Sequence, residues 1–116
     1  MSTFSPDPAA EGRVRADEFL RLLDAADPAA DELLAGLGEI RELVFLGAGL
    51  TGIARSLGRS LPPAQRAQAS TRQQRLAALR DGSRHDPEGL RTWLRRSGEE
   101  VLFLRSLRAA ADRAVS

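Results

Sequence analysis

The spacing of apolar residues along this chain is helical throughout. Apolar residues recur at every third or fourth position, the pattern of amphipathic helices. No stretch alternates apolar and polar residues over more than four positions, as a half-buried strand would. The pattern predicts an all-α fold, a small bundle of four to five helices. We expect residues 1–10 to be a disordered tail and residues 11–116 to form a single α-helical domain.

Two helices are predicted in the first half of the chain. The first runs from Glu11 to Asp27. Asp27-Pro28 is a typical N-cap and first-turn pair, so the second helix begins there. Its three-and-four rhythm then continues to Leu61, where Pro62 is expected to end the helix.

The segment after this helix allows two interpretations. Residues 60–74 are rich in Pro, Gln, Ala and Arg, and form either a mobile connector or a polar helix begun by the two prolines. A third helix anchored by Leu76 and Leu79 is predicted to end at Asp81-Gly82, a favourable C-terminal turn.

The last part of the chain is predicted to hold two helices with a break between them. Asp86-Pro87 repeats the helix-start signal. Ser97, followed three residues later by Glu100, matches a capping box, which marks another helix start. We therefore expect a short helix over 87–96 and a longer one over 98–114.

Composition excludes several classes of function. The chain has no Cys, which removes disulfides, thiolate metal sites and cysteine nucleophiles. All 17 cationic residues are Arg, and without Lys there is neither a Walker phosphate loop nor Schiff-base chemistry. His85 is the only histidine and leaves no histidine pair for a metal. We predict neither a metal site nor a cofactor.

Residues with catalytic potential are better explained by structure. Ser83, His85 and Asp86 resemble a nucleophile, base and orienting acid, but they lie within one turn at a helix start, where Asp86 acts as an N-cap. Carboxylate pairs such as Glu99/Glu100 are typical of solvated helix faces. We predict that the protein is not an enzyme and has no catalytic residues.

Neither a membrane span nor a secretory signal is found. The longest run without charge, Leu43 to Ala54, has 12 residues, whereas a membrane-spanning helix needs about 20. Residues 1–10 hold no basic or long apolar stretch. We expect no membrane partner and a cytoplasmic location.

Charge is balanced in total but uneven along the chain. The net charge is −6 over residues 1–42, +6 over 43–80 and +1 over 81–116. Residues 43–80 hold six Arg and no acid. This acid-free segment faces either an external acidic partner or the acidic first third of the same chain, and we expect the second.

A glycine motif lies in the acid-free segment. Val44 to Leu46 followed by Gly47-x-Gly49-x-x-Gly52 resembles the opening strand and phosphate-binding turn of a Rossmann dinucleotide-binding unit. The resemblance covers about fifteen residues and implies dinucleotide binding at 47–52. The second strand and the ribose-binding acid that should follow near residue 70 are missing.

If the same residues form a helix, their spacing predicts an interface over 43–57. One row is an aliphatic seam of Leu43, Leu46, Leu50, Ile53 and Leu57. Beside it runs a smooth row of Ala48, Gly52 and Ser56, four residues apart. Each interior Gly costs roughly 1 kcal/mol against Ala, so several together indicate compensating close packing with another helix or a second copy.

Arginine positions suggest a second partner class. Residues 76–96 match a helix-turn-helix with Trp93 on its second helix, but the interpretation we favour is that Trp93 is a core residue. The candidate nucleic-acid contacts are Arg66, Arg72, Arg75, Arg84, Arg91, Arg95 and Arg96.

Three functional hypotheses follow. The first is a non-enzymatic helical module for protein–protein contacts (an adaptor, assembly subunit or small regulator) that forms a homodimer or larger oligomer through 43–57. The second is an arginine-driven nucleic-acid-binding regulator. The third is dinucleotide binding at the glycine motif. A net charge of only +1 places the first ahead of the second, because cationic excess supplies most affinity for nucleic acid.

Overall fold

The chain forms a bundle of five helices. A computed structural model describes residues 8–115, with side chains for residues 10–114. The helices are α1 (Pro8–Asp24), α2 (Ala29–Gly36), α3 (Ile40–Arg59), α4 (Pro63–Gly82) and α5 (Pro87–Val115). No strand occurs among residues 8–115, so the predicted all-α bundle is confirmed. None of these helices is both long and apolar enough to cross a membrane.

The central helix of the bundle is α3. It packs most extensively against α5 and α1, and much less against α4. One core collects apolar side chains from all five helices, with Phe19, Leu50 and Leu94 among those fully buried. Within α4 only Ala69 is buried, because the sequence of this helix is mostly polar. Burial therefore holds α4 less firmly than the other long helices.

Several helix boundaries follow the local signals in the sequence. The Asp27 carboxylate accepts the backbone N–H of Ala29 at 2.9 Å, which starts α2 where predicted. Asp86 does the same for the N–H of Glu88 at the start of α5. The alternative of a polar helix after the two prolines is confirmed, since α4 begins at Pro63 and ends at Gly82.

Helix α1 lies further toward the N-terminus than predicted. It begins at Pro8 instead of Glu11 and ends at Asp24 instead of Asp27. The reversal after it uses Ala26 in the left-handed region (φ 54°) and a hydrogen bond from the N–H of Asp27 to the carbonyl of Leu22. The predicted disordered tail overlaps α1 at residues 8–10, and its other residues lie outside the described part.

The predicted continuous helix from Pro28 to Leu61 is wrong. The chain is extended at Leu37 (ψ 102°) and Glu39 (ψ 139°), which separates α2 from α3. The Glu42 carboxylate accepts the N–H of Glu39 at 3.3 Å and so closes the start of α3. The carbonyls of Leu34 and Leu37 at this break accept hydrogen bonds from Arg91, a distant partner that local periodicity does not reveal.

The predicted break at Ser97 is also wrong, because α5 runs unbroken from Pro87 to Val115. Glu100 does not cap a helix; its buried carboxylate forms an ion pair with Arg72 of α4. Gly98 is needed for packing: a Cβ built there would lie 2.7 Å from the Phe19 ring. Tertiary contacts of α5 thus account for Gly98 and Glu100.

Candidate functional site

The glycine motif lies in the middle of α3. Val44 to Leu46 are helical, so the strand and the phosphate-binding turn that the resemblance implies are absent. The structure therefore gives no basis for dinucleotide binding at 47–52. None of the described glycines has a positive φ. The backbone N–H groups of 47–52 lie within the helix and are engaged in its hydrogen bonds, so they are not free to hold a phosphate.

Two of the motif glycines allow close packing between helices. A Cβ at Gly47 would overlap the Trp93 ring of α5, and one at Gly49 would lie 2.6 Å from the Gly12 carbonyl oxygen of α1. At Gly52 a Cβ would meet nothing within 4 Å. The close approach predicted for this helix therefore occurs inside the chain, at Gly47 and Gly49.

The candidate interface over 43–57 divides into a buried and an exposed row. The aliphatic seam of Leu43, Leu46, Leu50, Ile53 and Leu57 lies in the core of the protein's own bundle. Ala48, Gly52 and Ser56 are exposed. The seam is thus occupied by the other helices, and only the smooth row is free for a partner.

The exposed row continues toward the start of α3 with larger apolar residues. Five large hydrophobic residues are exposed in the described part of the chain, and three of them, Ile40, Val44 and Phe45, belong to α3. We call Ile40, Val44, Ala48 and Gly52, spaced four apart, the α3 stripe. A hollow of about 260 Å³ opens beside its Val44–Gly52 part, bordered by Arg55, Arg80 and Trp93.

Four of the seven candidate nucleic-acid arginines are engaged within the chain. Arg91 donates to the carbonyl oxygens of Leu34 (3.1 Å) and Leu37 (3.0 Å). Arg95 pairs with Asp31, and Arg84 lies 3.8 Å from Asp81.

The fourth, Arg72, lies between α4 and α5. Its Nη2 is 2.6 Å from Glu100, and its guanidinium stacks 4.2 Å from the centre of the Phe103 ring. The Glu100 side chain is 6% exposed, so this pair is the most buried ion pair among the described residues. Arg72 therefore joins the two helices and neutralises a buried carboxylate.

The remaining three candidates do not form one surface. Arg66, Arg75 and Arg96 have no ion-pair partner among the described residues, but Arg66 and Arg75 are nine positions apart on α4, which places them on opposite faces. Trp93 is 3% exposed and belongs to the core. The structure therefore does not bring the seven arginines together.

The geometry of the 76–96 segment also differs from a helix-turn-helix head. A DNA-reading pair crosses at about 90–120°. Here Arg72 and Glu100 touch although both lie more than two turns from the connecting loop, so α4 and α5 run antiparallel, side by side. The alternative of a helix-turn-helix-like segment over 76–96 therefore finds no support in this arrangement.

A different set of arginines does converge, in a groove between α3 and α4. The groove has a volume of about 610 Å³. Its apolar lining consists of Ala54, Gly58, Ala67, Ala69 and Ala77. Its polar lining consists of Arg55, Arg59, Arg66, Ser70, Gln73 and Gln74. We call this the arginine groove; none of its lining residues is acidic.

We expected the acidic first third of the chain to neutralise the acid-free segment, and this expectation is wrong. Of its six arginines, Arg72 pairs with Glu100 and Arg80 with Asp81, both in the last third of the chain. The other four, including the three in the arginine groove, have no carboxylate partner among the described residues. The acids of the first third pair instead with Arg15, Arg41 and Arg95, among others.

The residues with catalytic potential have structural positions. Asp86 caps α5. Ser83 is buried and packs closely against Gly89: a Cβ added to Gly89 would lie 2.5 Å from the Ser83 hydroxyl oxygen. His85 is exposed in the loop between α4 and α5. Among the described residues no group of three or more His, Asp or Glu side chains is placed to hold a metal ion.

Sequence reasoning missed Arg55 and Arg59 as site residues. The available signal was the absence of acids over 43–80, since arginines without nearby carboxylates stay unpaired unless a distant one reaches them. The chain matches no protein-family model, no curated protein and no solved structure.

Proposed function

We propose that this chain is a non-enzymatic helical protein-interaction module that self-associates through the α3 stripe. The observation that carries the proposal is the exposure of Ile40 and Val44 on the same helix face as Ala48 and Gly52. Large apolar residues grouped on one exposed face are typical of interaction surfaces. Such a module would serve as an adaptor, an assembly subunit or a small regulator.

The order of large and small residues along the stripe supports antiparallel pairing with a second copy. Centring two copies of α3 on Ala48 places Val44 of each copy opposite Gly52 of the other. Gly52 has open space around it, and the hollow beside it accepts a branched side chain. A large residue then fills a gap on the second copy, twice by symmetry, as a two-fold interface demands.

The flanks of the stripe limit how strongly the copies attract. In this arrangement Arg41 approaches Arg55 of the second copy, which is unfavourable. Arg41 lies 3.8 Å from Glu39 of its own chain, so part of its charge is compensated. The interface therefore depends on apolar packing at Val44 and Gly52, and we expect a dimer that dissociates on dilution.

The structural roles of the other polar groups support a module without catalysis. Asp86 caps a helix and Ser83 is buried against a glycine, so neither is available for chemistry with His85. Glu100 is engaged with Arg72. Because these groups have structural roles, we assign the function of the described chain to its exposed surfaces.

The test is the mass in solution across a hundredfold range of concentration. The parent protein should rise from monomer to dimer, whereas Val44→Asp should stay monomeric because a carboxylate would be buried against Gly52 of the second copy. Gly52→Leu should also stay monomeric, since it fills the gap that Val44 enters.

The matched control is Val14→Asp, the same change at a residue of α1 that is 67% exposed. It should dimerise like the parent, and circular dichroism should show that all variants keep their helix content. A parent protein that is monomeric at every concentration, or a Val44→Asp variant that still dimerises, would refute self-association through this stripe.

A further inference from the structure

We infer that the arginine groove binds an acidic, amphipathic helix of a partner protein. This inference goes beyond self-association and uses the last turns of α3; Arg55 is the one lining residue that the groove shares with the hollow beside the α3 stripe. The groove lies between the last turns of α3 and the length of α4 from Arg66 to Ala77. That length is about three helical turns, enough for a helix of moderate size to lie along it.

The charges of the groove call for an acidic occupant. Arg55 and Arg59 lie four apart on α3, and Arg66 faces them from α4. None has a carboxylate partner in the described part of the chain, and the lining contains no acid. Carboxylates four residues apart on a bound helix would match the spacing of Arg55 and Arg59.

The floor of the groove calls for an apolar face on that occupant. Ala54, Gly58 and Ala69 have short side chains, so a helix can approach the α3 and α4 backbones closely. Around Gly58 the packing is ordinary, with a built Cβ 3.8 Å from Ala69. An amphipathic helix in a groove between two helices, apolar side down and charges at the rim, is a recurring mode of peptide recognition.

One residue that lines the groove, Gln73, has a polar atom without a partner that faces the protein interior. The Nε2 atom of Gln73 is buried and makes no hydrogen bond. Unsatisfied donors of this kind are rare in folded proteins. A bound carboxylate, with rotation of the Gln73 side chain, would satisfy it.

Nucleic acid fits the groove less well than an acidic helix. Strands are bound by rows of cations and by aromatic side chains that stack with bases. The groove has three arginines around an alanine floor and no aromatic lining residue, and Phe103 lies under Arg72, outside the groove.

A second copy of the chain fits less well too. Its unpaired acids, such as Glu18 and Glu32, belong to α1 and α2, whose apolar faces are already buried in its own core. Those helices cannot also cover an alanine floor. The favoured occupant is therefore a helix of another protein.

The experiment measures binding of a fluorescently labelled synthetic helix to the full chain by anisotropy. The probe has Leu and Ala on one face and Glu at positions four apart on the other. A scrambled peptide of the same composition serves as the control for amphipathic order. We expect saturable binding of the ordered probe, weaker binding of the scrambled one, and a loss of affinity as salt rises.

Two protein variants locate the binding. The double variant Arg59→Gln, Arg66→Gln should weaken binding about tenfold or more. The control Arg75→Gln removes an exposed, unpaired arginine from the opposite face of the same helix and should leave affinity unchanged. Equal effects of the two, or a scrambled peptide that binds as well as the ordered one, would overturn the inference.

Two further arms separate the alternatives. Tighter binding of a mixed-sequence oligonucleotide, lost in the double variant, would overturn the inference in favour of nucleic acid; a double variant that no longer dimerises would overturn it in favour of a second copy. Val44→Asp should bind the ordered probe as the parent does, so failure of self-association and failure of this inference give different results.

Discussion

The two sides of α3 contrast sharply although the same kinds of residue form them. The inward side carries Leu50 in the core and two glycines that other helices approach so closely that no Cβ fits. The outward side carries Val44, which is 40% exposed, and Gly52 with open space around it. Small and aliphatic residues at helical spacing thus do not by themselves distinguish the buried side of a helix from the exposed side.

The greatest change in the free energy of unfolding is expected at the aliphatic residues, and it should differ between the two sides of α3. Leu50→Ala should lower the free energy of unfolding by about 2–5 kcal/mol, because it removes buried methyl groups and leaves a cavity. Val44→Ala should change it by less than about 0.5 kcal/mol. Chemical denaturation at a concentration where the protein is monomeric measures both. Similar losses for the two variants would contradict the burial difference.

The glycines of the inward side give the next largest effect. Gly49→Ala should destabilise the protein by about 1–3 kcal/mol, because the new methyl group would press on the Gly12 backbone, which cannot rotate away. Gly47→Ala should be at least as costly, since the Trp93 ring would have to move within the core. Thermal unfolding followed by circular dichroism reports both, and a neutral Gly49→Ala would show that α1 does not pack there.

A glycine of the outward side should give a smaller change in stability, of the opposite sign. Gly52→Ala should stabilise the monomer by up to about 1 kcal/mol, because Ala favours the helix and its methyl group meets no neighbouring atom. The measurement is chemical denaturation under the same dilute conditions as above. A destabilised Gly52→Ala monomer would mean that the outward side is covered by part of the chain.

Local signals in the sequence predicted the parts of the fold that local interactions decide. Asp27 and Asp86 begin helices with their own side chains, and the helical rhythm identified the buried leucines of α3. The break at Leu37 does have a local signal, the Glu39/Glu42 capping box that starts α3, which the helical rhythm hides. The Arg91 contacts at this break and the unbroken α5 at Ser97 depend on partners distant in sequence, so local signals do not predict them.

The sequence also predicted only part of each candidate site. The smooth row of Ala48 and Gly52 was identified, but its continuation through Val44 needed the knowledge that Val44 faces outward. The acid-free segment predicted a surplus of positive charge. Which arginines remain unpaired depends on which carboxylates the fold brings near, and this left Arg55 and Arg59 unrecognised.

The hydrogen bonds from Arg91 to α2 also set an order of events during biosynthesis. A helix of eight residues is marginal alone, and the carbonyls of Leu34 and Leu37 receive their side-chain donor from a residue 57 and 54 positions later. A ribosome releases the chain from its N-terminus, so α2 emerges long before Arg91 does. This short helix therefore receives its last hydrogen bonds only after Arg91 has been synthesised.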